Sequence, residues 1–148
     1  MEATTFIKTN LEFAKEAERV YGVPYLVALA QSALESGWGA KATGNNLFGI
    51  RADRSWTGPV VSISTHEVVK GERVFQKGQY FRAYPSTRES FLDWGKFLTR
   101  NPRYRGAFFH KENPEQFARA IAEAGYSTTP NYGDTLVAVI QSVKKRIA

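Results

Sequence analysis

Apolar residues recur at three- and four-residue spacing from the start of the chain. Phe6, Ile7, Leu11, Ala14, Ala17 and Tyr21 share one stripe of a helix, and Gly22 ends it. Pro24 then stands where a helix tolerates proline, in the first turn, and Leu26, Val27, Ala30, Ala33 and Leu34 carry a second helix to Gly37. From Val60 to Tyr84 the period shortens and β-branched and aromatic residues take over, with Val61, Ile63 and Thr65 on one face. Lys70-Gly71 is the turn candidate before Arg73, Val74 and Phe75, which predicts a hairpin or a small three-stranded lobe. Ser86 with Glu89 forms a capping-box pattern ahead of a helix face of Phe91, Trp94, Phe97 and Leu98. Asn113, Pro114 and Gln116 open a further helix carried by Phe117, Ile121 and Ala122 and stopped at Gly125. The last helix begins near Asn131 and uses Leu136, Val139, Ile140, Val143 and Ile147. The expected fold class is mainly α (α+β), a helical domain with a β-hairpin lobe, and the groove between lobe and helices is the natural ligand site.

Length and composition sharpen this picture. With 148 residues, 43% of them hydrophobic, the chain can bury one core of ordinary size, so a single domain spanning 1–148 is expected. A monomer is expected as well. The longest nearly uncharged stretch, Val20 to Leu34, is broken by Gly22, Pro24, Gln31 and Ser32, and no membrane insertion is expected. Met1 to Glu12 reads as the start of a helix rather than as a signal peptide. Action outside the cytoplasm would then need another carrier, such as a larger parent chain, a phage lysis system or a secretion apparatus. There is no cysteine, and His66 and His110 are the only histidines, so disulfides are excluded and a zinc site is poorly supplied. No metal or organic cofactor is expected. The net charge of +6 favours a polyanionic partner, which could be nucleic acid, an anionic membrane surface or the cell wall. Lys144-Lys145-Arg146 and the run from Arg100 to Arg105 read as solvated faces, and no nucleic-acid motif accompanies them.

Glu35 falls at the end of the second helix, where the negative end of the macrodipole opposes an ionised carboxylate. Position alone leaves open whether it is simply a solvated surface residue. The segment around it adds more. Ala30-Gln31-Ser32-Ala33-Leu34-Glu35-Ser36-Gly37-Trp38-Gly39, followed by Asn45-Asn46-Leu47-Phe48-Gly49-Ile50, closely resembles the signature of family 73 glycoside hydrolases. Ala124-Gly125-Tyr126-Ser127-Thr128-Thr129-Pro130-Asn131-Tyr132 is similar to the tyrosine-bearing motif near that family's C-terminus, and Thr65-His66-Glu67 to its acidic hairpin motif. The matches keep the family's order and span residues 30 to 132. Ser127 and Thr129 stand where many relatives have Ala and Asp.

The resemblance implies a lysozyme-like fold and cleavage of the β-1,4 bond between N-acetylglucosamine and N-acetylmuramic acid in peptidoglycan, at the cell wall in the periplasm or outside the cell. Such hydrolysis needs a carboxylic acid that keeps its proton until the leaving oxygen takes it, and a Glu held against apolar surface does so because desolvation raises its pKa. Glu35 is the expected general acid, with Leu34, Trp38 and Phe48 near enough in sequence to supply the wall. Glu67 is the candidate second acid, and Glu72 competes with it through hairpin register; the substrate's own acetamido group could serve instead. Tyr126 and Tyr132 are expected to line the groove, although core or cap packing suits them as well, and Gln31, Trp38, Asn46 and Phe48 of the matched segments are expected to bind substrate with them. For Asn46, holding the loop is the stronger of its two readings. The rival readings are a lytic transglycosylase or muramidase using the same Glu, a noncatalytic cell-wall binding module, and a basic nucleic-acid binder.

Overall fold

A computed structural model describes residues 2–69 and 72–148, with side chains outside its description at 64–77. The chain runs through α1 (Ala3–Tyr21), α2 (Tyr25–Ser36), β1 (Val60–Val69), β2 (Glu72–Arg82), α3 (Thr87–Arg100), a 3₁₀ segment (Pro102–His110), α4 (Pro114–Glu123) and α5 (Tyr132–Ile147). Mainly helical with one hairpin, it has the fold class expected from the sequence.

The centre of the domain is α2. Val27, Ala28, Leu29, Ala30, Gln31, Ser32 and Ala33 are all at most 1% exposed, so this helix is buried on nearly every side. Its small residues let α1, α4 and α5 close around it. Ser32 and Ser36 hide their hydroxyls by donating to the carbonyls of Leu29 and Ser32, at 3.0 and 2.6 Å. Pro24 is the residue before the first helical turn rather than within it. At the other end Gly37 takes the left-handed conformation, φ 58° and ψ 51°. Trp38 follows it at φ 56°, and its N–H donates back to the Ala33 carbonyl at 2.8 Å. A tryptophan rarely adopts positive φ, and here its ring is held edge-on against Phe6 at 5.8 Å, with the Arg146 guanidinium 5.7 Å above it.

The other helices obey the apolar pattern. Phe91, Trp94 and Leu98 of α3, Phe117 and Ile121 of α4, and Leu136, Ile140 and Val143 of α5 are at most 1% exposed. Phe48 joins them from the loop after α2, stacked on Trp94 at 4.7 Å and edge-on to Phe91 at 5.2 Å. At the start of α3 the capping box is only half formed: the Ser86 hydroxyl bonds the Glu89 carboxylate instead of a backbone N–H. The run from Arg100 to Arg105, expected to be a solvated face, leads into the 3₁₀ segment Pro102–His110. Tyr104 and Ala107 within it are buried, and the Asn101 side chain caps it by accepting from the Arg103 N–H.

The hairpin is a two-stranded antiparallel ladder. A third strand is reduced to one bridge between Arg51 and Phe81. Ile63 opposes Gln79 and Thr65 opposes Gln76, so β2 carries one extra residue across this step, and Gly78 accommodates it at φ 81°. The expected Lys70-Gly71 turn lies outside the described residues. Arg82 anchors the hairpin base. Its side chain is 8% exposed and donates to Asp93 on α3 at 2.9 Å and to the Arg51 carbonyl at 3.1 Å, while Tyr84 donates to the same Asp93 oxygen at 2.6 Å.

Candidate active site

Gln31 and Glu35 lie four residues apart and therefore share a face of α2. Both meet Tyr132, the first residue of α5. The tyrosine hydroxyl donates to Glu35 Oε1 at 3.1 Å and accepts from Gln31 Nε2 at 3.1 Å. Gln31 is wholly buried and its Oε1 has no partner among the described residues, so the amide is committed to orienting the tyrosine. Tyr126 stacks on Tyr132 with ring centres 6.0 Å apart and planes 18° from parallel.

The Glu35 carboxylate opens into a concavity of about 580 Å³. Phe48, Gly49 and Ile50 contribute from the loop after α2, Phe81 from β2 and Phe97 from α3, while Tyr104 and the Tyr126–Thr128 loop close the far wall. A smaller hollow of about 150 Å³, bounded by Lys41, Thr43, Ile63 and Phe81, also reaches Glu35. Glu35 thus borders both hollows. The acid is not sequestered, since it faces the groove. Glu35 is an exposed residue overall, and the protein beside its carboxyl removes part of that group's hydration, which raises its pKa above the ordinary 4.5. The Tyr132 hydrogen bond acts the opposite way and is the smaller effect. Burial raises the pKa of Tyr126 and Tyr132 as well, with Glu35 adding to the rise, so both phenols stay protonated at neutral pH.

The remaining expected residues divide clearly. Phe48 and Tyr126 line the groove. Gln31 and Tyr132 lie beneath it, where they meet the acid rather than the groove space. Asn46 is 6% exposed, borders the smaller hollow and spends its hydrogen-bonding capacity on the backbone of its own loop and of β2: Nδ2 donates to the Ile50 and Arg82 carbonyls at 2.9 Å each, and Oδ1 accepts from the Phe48 and Ile50 N–H groups. It shapes the loop and has no spare group for a sugar. Trp38 is turned to the Phe6 and Arg146 side and is not among the groove-lining residues, because the left-handed turn at Gly37-Trp38 points it there. Glu67 stands in β1 opposite Val74, and Glu72 stands opposite Val69; both side chains lie outside the described residues. Glu67 lies four positions along β1 from Ile63, which borders the smaller hollow, about 13 Å along an extended strand.

Sequence reasoning missed Tyr104, Phe81, Arg51 and Asp53 as groove residues. Asn101-Pro102 before Tyr104 was a legible helix-start signal, obscured by the surrounding arginines. Asp53 is the only other carboxylate lining the groove among the described side chains. The Ser55 hydroxyl and N–H bonded to it hold its pKa below the usual value. No cluster of three potential metal-binding His, Cys, Asp or Glu side chains occurs among the described residues.

A mainly helical domain with a hairpin lobe and a glutamate bordering an aromatic groove belongs to the class of lysozyme-like glycoside hydrolase domains. The profile of the glucosaminidase family, described as mannosyl-glycoprotein endo-beta-N-acetylglucosaminidase, matches residues 11–145, and the chain belongs to that family. It is 42% identical over 141 residues to the peptidoglycan hydrolase FlgJ of Vibrio cholerae, covering 91% of this chain and 42% of that protein. It is 31% identical over 147 residues to the exo-glucosaminidase LytG of Bacillus subtilis, covering 95% of this chain and 51% of the relative. The chain therefore spans about half or less of these relatives. A solved glycoside hydrolase domain from Salmonella typhimurium FlgJ superposes with a TM-score of 0.82 at 40% identity, covering 97% of this chain and 99% of that one.

Proposed function

We propose that the chain is a single-domain, monomeric peptidoglycan hydrolase that cuts the β-1,4 bond between N-acetylglucosamine and N-acetylmuramic acid within the glycan strand, with Glu35 as general acid. The observation that carries this reading is a carboxyl group with a raised pKa, tied to Tyr132 and opening onto an aromatic groove, in a member of the glucosaminidase family. Family relatives named as peptidoglycan hydrolases support the substrate.

Protonated Glu35 delivers its proton to the leaving glycosidic oxygen as positive charge builds on the sugar ring. Groove aromatics Phe81, Phe97 and Tyr126 supply flat apolar surface against which sugar rings pack and from which water is excluded, and the buried Phe48 backs them from the core. Glu67 takes the second role, stabilising the oxocarbenium-like ring or activating water. Asp53, held ionised, lies in the groove and contributes negative potential to the same charge. The net charge of +6 draws the enzyme to the anionic wall, which is its place of action.

Mass spectrometry of digested peptidoglycan in ¹⁸O-water tests the reading. Reducing N-acetylglucosamine ends carrying the label are expected. Anhydromuramyl ends would instead mark a transglycosylase, and reducing muramic ends a muramidase. Glu35→Gln is expected to abolish cleavage while retaining wall binding; a fully active variant would remove Glu35 from the mechanism.

A further inference from the structure

A second cavity of about 470 Å³ adjoins the groove, and Asp53 and Phe97 line both, forming the sill between them. Its walls are the Trp56 loop, the base of β2, the solvent-facing side of α3, and Asn101-Pro102. Three cations face it, Arg82, Lys96 and Arg100, against two carboxylates, Asp53 and Asp93. Arg82 is already engaged with both carboxylates, at 3.5 and 2.9 Å. Lys96 and Arg100, one turn apart on α3, have no carboxylate within salt-bridge distance among the described residues. Beside them Trp56 is braced by its indole N–H, which donates to the Pro59 carbonyl at 2.8 Å, and by the Arg82 guanidinium 4.9 Å from its ring.

The cavity is therefore an extension of the groove with one rigid aromatic wall and two unpaired cations on a helix. A linear sugar strand lying over Glu35 has no carboxylate to offer it except on its branches. In peptidoglycan those branches are short peptides, rich in small apolar side chains and free carboxylates, attached to every second sugar. We infer that this cavity is a subsite for the peptide stem, in which Lys96 and Arg100 pair with stem carboxylates and Trp56 packs against its aliphatic part. The inference rests on the peptidoglycan reading above. It makes the enzyme a reader of stem charge as well as of sugar, and it places the stem-bearing sugar on the Phe97 side of Glu35.

The test compares kcat and KM on three purified strands: with free-carboxylate stems, with the same stems amidated, and stripped of stems by an amidase. The parent should prefer free-carboxylate stems over amidated ones. In Lys96→Ser/Arg100→Ser, the ratio of kcat/KM for free over amidated stems should fall roughly three- to tenfold through KM, the range expected for two partly exposed ion pairs. Both side chains are at least partly exposed, and a matching thermal melt will show that the fold persists. A parent indifferent to amidation, or a double variant with the parent's ratio, overturns the stem subsite while leaving hydrolysis intact. Failure to cleave any of the three strands overturns the hydrolase reading itself, and the subsite with it.

Discussion

Replacing Tyr132 by Phe removes one oxygen from the centre of the site, and its consequences separate by sign. The hydroxyl is the described donor to Glu35, and a hydrogen bond to the carboxylate form lowers that group's pKa. Without it only desolvation acts, so Glu35 holds its proton to higher pH. The alkaline limb of the pH–rate profile on a peptidoglycan suspension, followed by turbidity, should move upward. Stability should fall at the same time, because Gln31 Nε2 loses its acceptor in a wholly buried position where Oε1 already lacks a partner. An orphaned buried amide donor costs about 1–3 kcal/mol, which for a domain of this size lowers Tm by roughly 3–10 °C. Adding Gln31→Leu should recover much of that loss, since removing both partners leaves no polar group stranded, so the double-mutant cycle should show strong coupling. An alkaline limb that stays put or moves down would refute the assignment of Glu35 as the titrating acid. Additive stability losses would refute the Gln31–Tyr132–Glu35 chain.

Other expectations follow from the same geometry. Because Glu35 binds its proton more tightly when folded, the folded state carries more protons than the unfolded chain above pH 4.5, and that stabilising contribution is lost as pH rises through the raised pKa. Glu35→Gln lacks this loss, so melts from pH 4 to 8 should show the variant gaining on the parent as pH rises; a constant difference would contradict the raised pKa. Asp93→Ala leaves the nearly buried Arg82 guanidinium with only the longer Asp53 contact and the Arg51 carbonyl and strands the Tyr84 hydroxyl, and should cost about 2–4 kcal/mol in denaturant unfolding, with Asp93→Asn intermediate. Trp38→Ala should destabilise by about 2 kcal/mol through lost packing on Phe6, yet leave KM for glycan strands as it was; a large KM increase with unchanged stability would put Trp38 in the groove after all. Chelator should not alter activity, and its abolition by chelation would mean that a metal takes part.

The helices were legible because burial imposes a period that the chain displays. Phe91, Trp94 and Leu98, or Leu136, Ile140 and Val143, face the core because their spacing leaves no other way to bury them together. Glu35 was legible for a different reason, its place in the segment that resembles a known family. The 3₁₀ segment was not, since short 3₁₀ turns have no apolar period, and its buried Tyr104 sits between two arginines. The direction of the Trp38 ring was hidden for another reason. Nearness in sequence suggested a wall for Glu35, but two successive left-handed residues send the indole elsewhere.

By itself, the sequence determined which segments are helical, where the hairpin falls and which glutamate closes the central helix. These depend on local spacing and on punctuation by Gly, Pro and Asn, which act within a few residues. Only the tertiary structure decided that Tyr132, 97 residues away, donates to Glu35, that Gln31 and Asn46 support the site from beneath, and that Asp53 and Phe97 join the groove to a second, cationic cavity. Those relations arise when elements remote in the chain close around α2, and the distances and desolvation that set the acid's pKa exist only once they have closed.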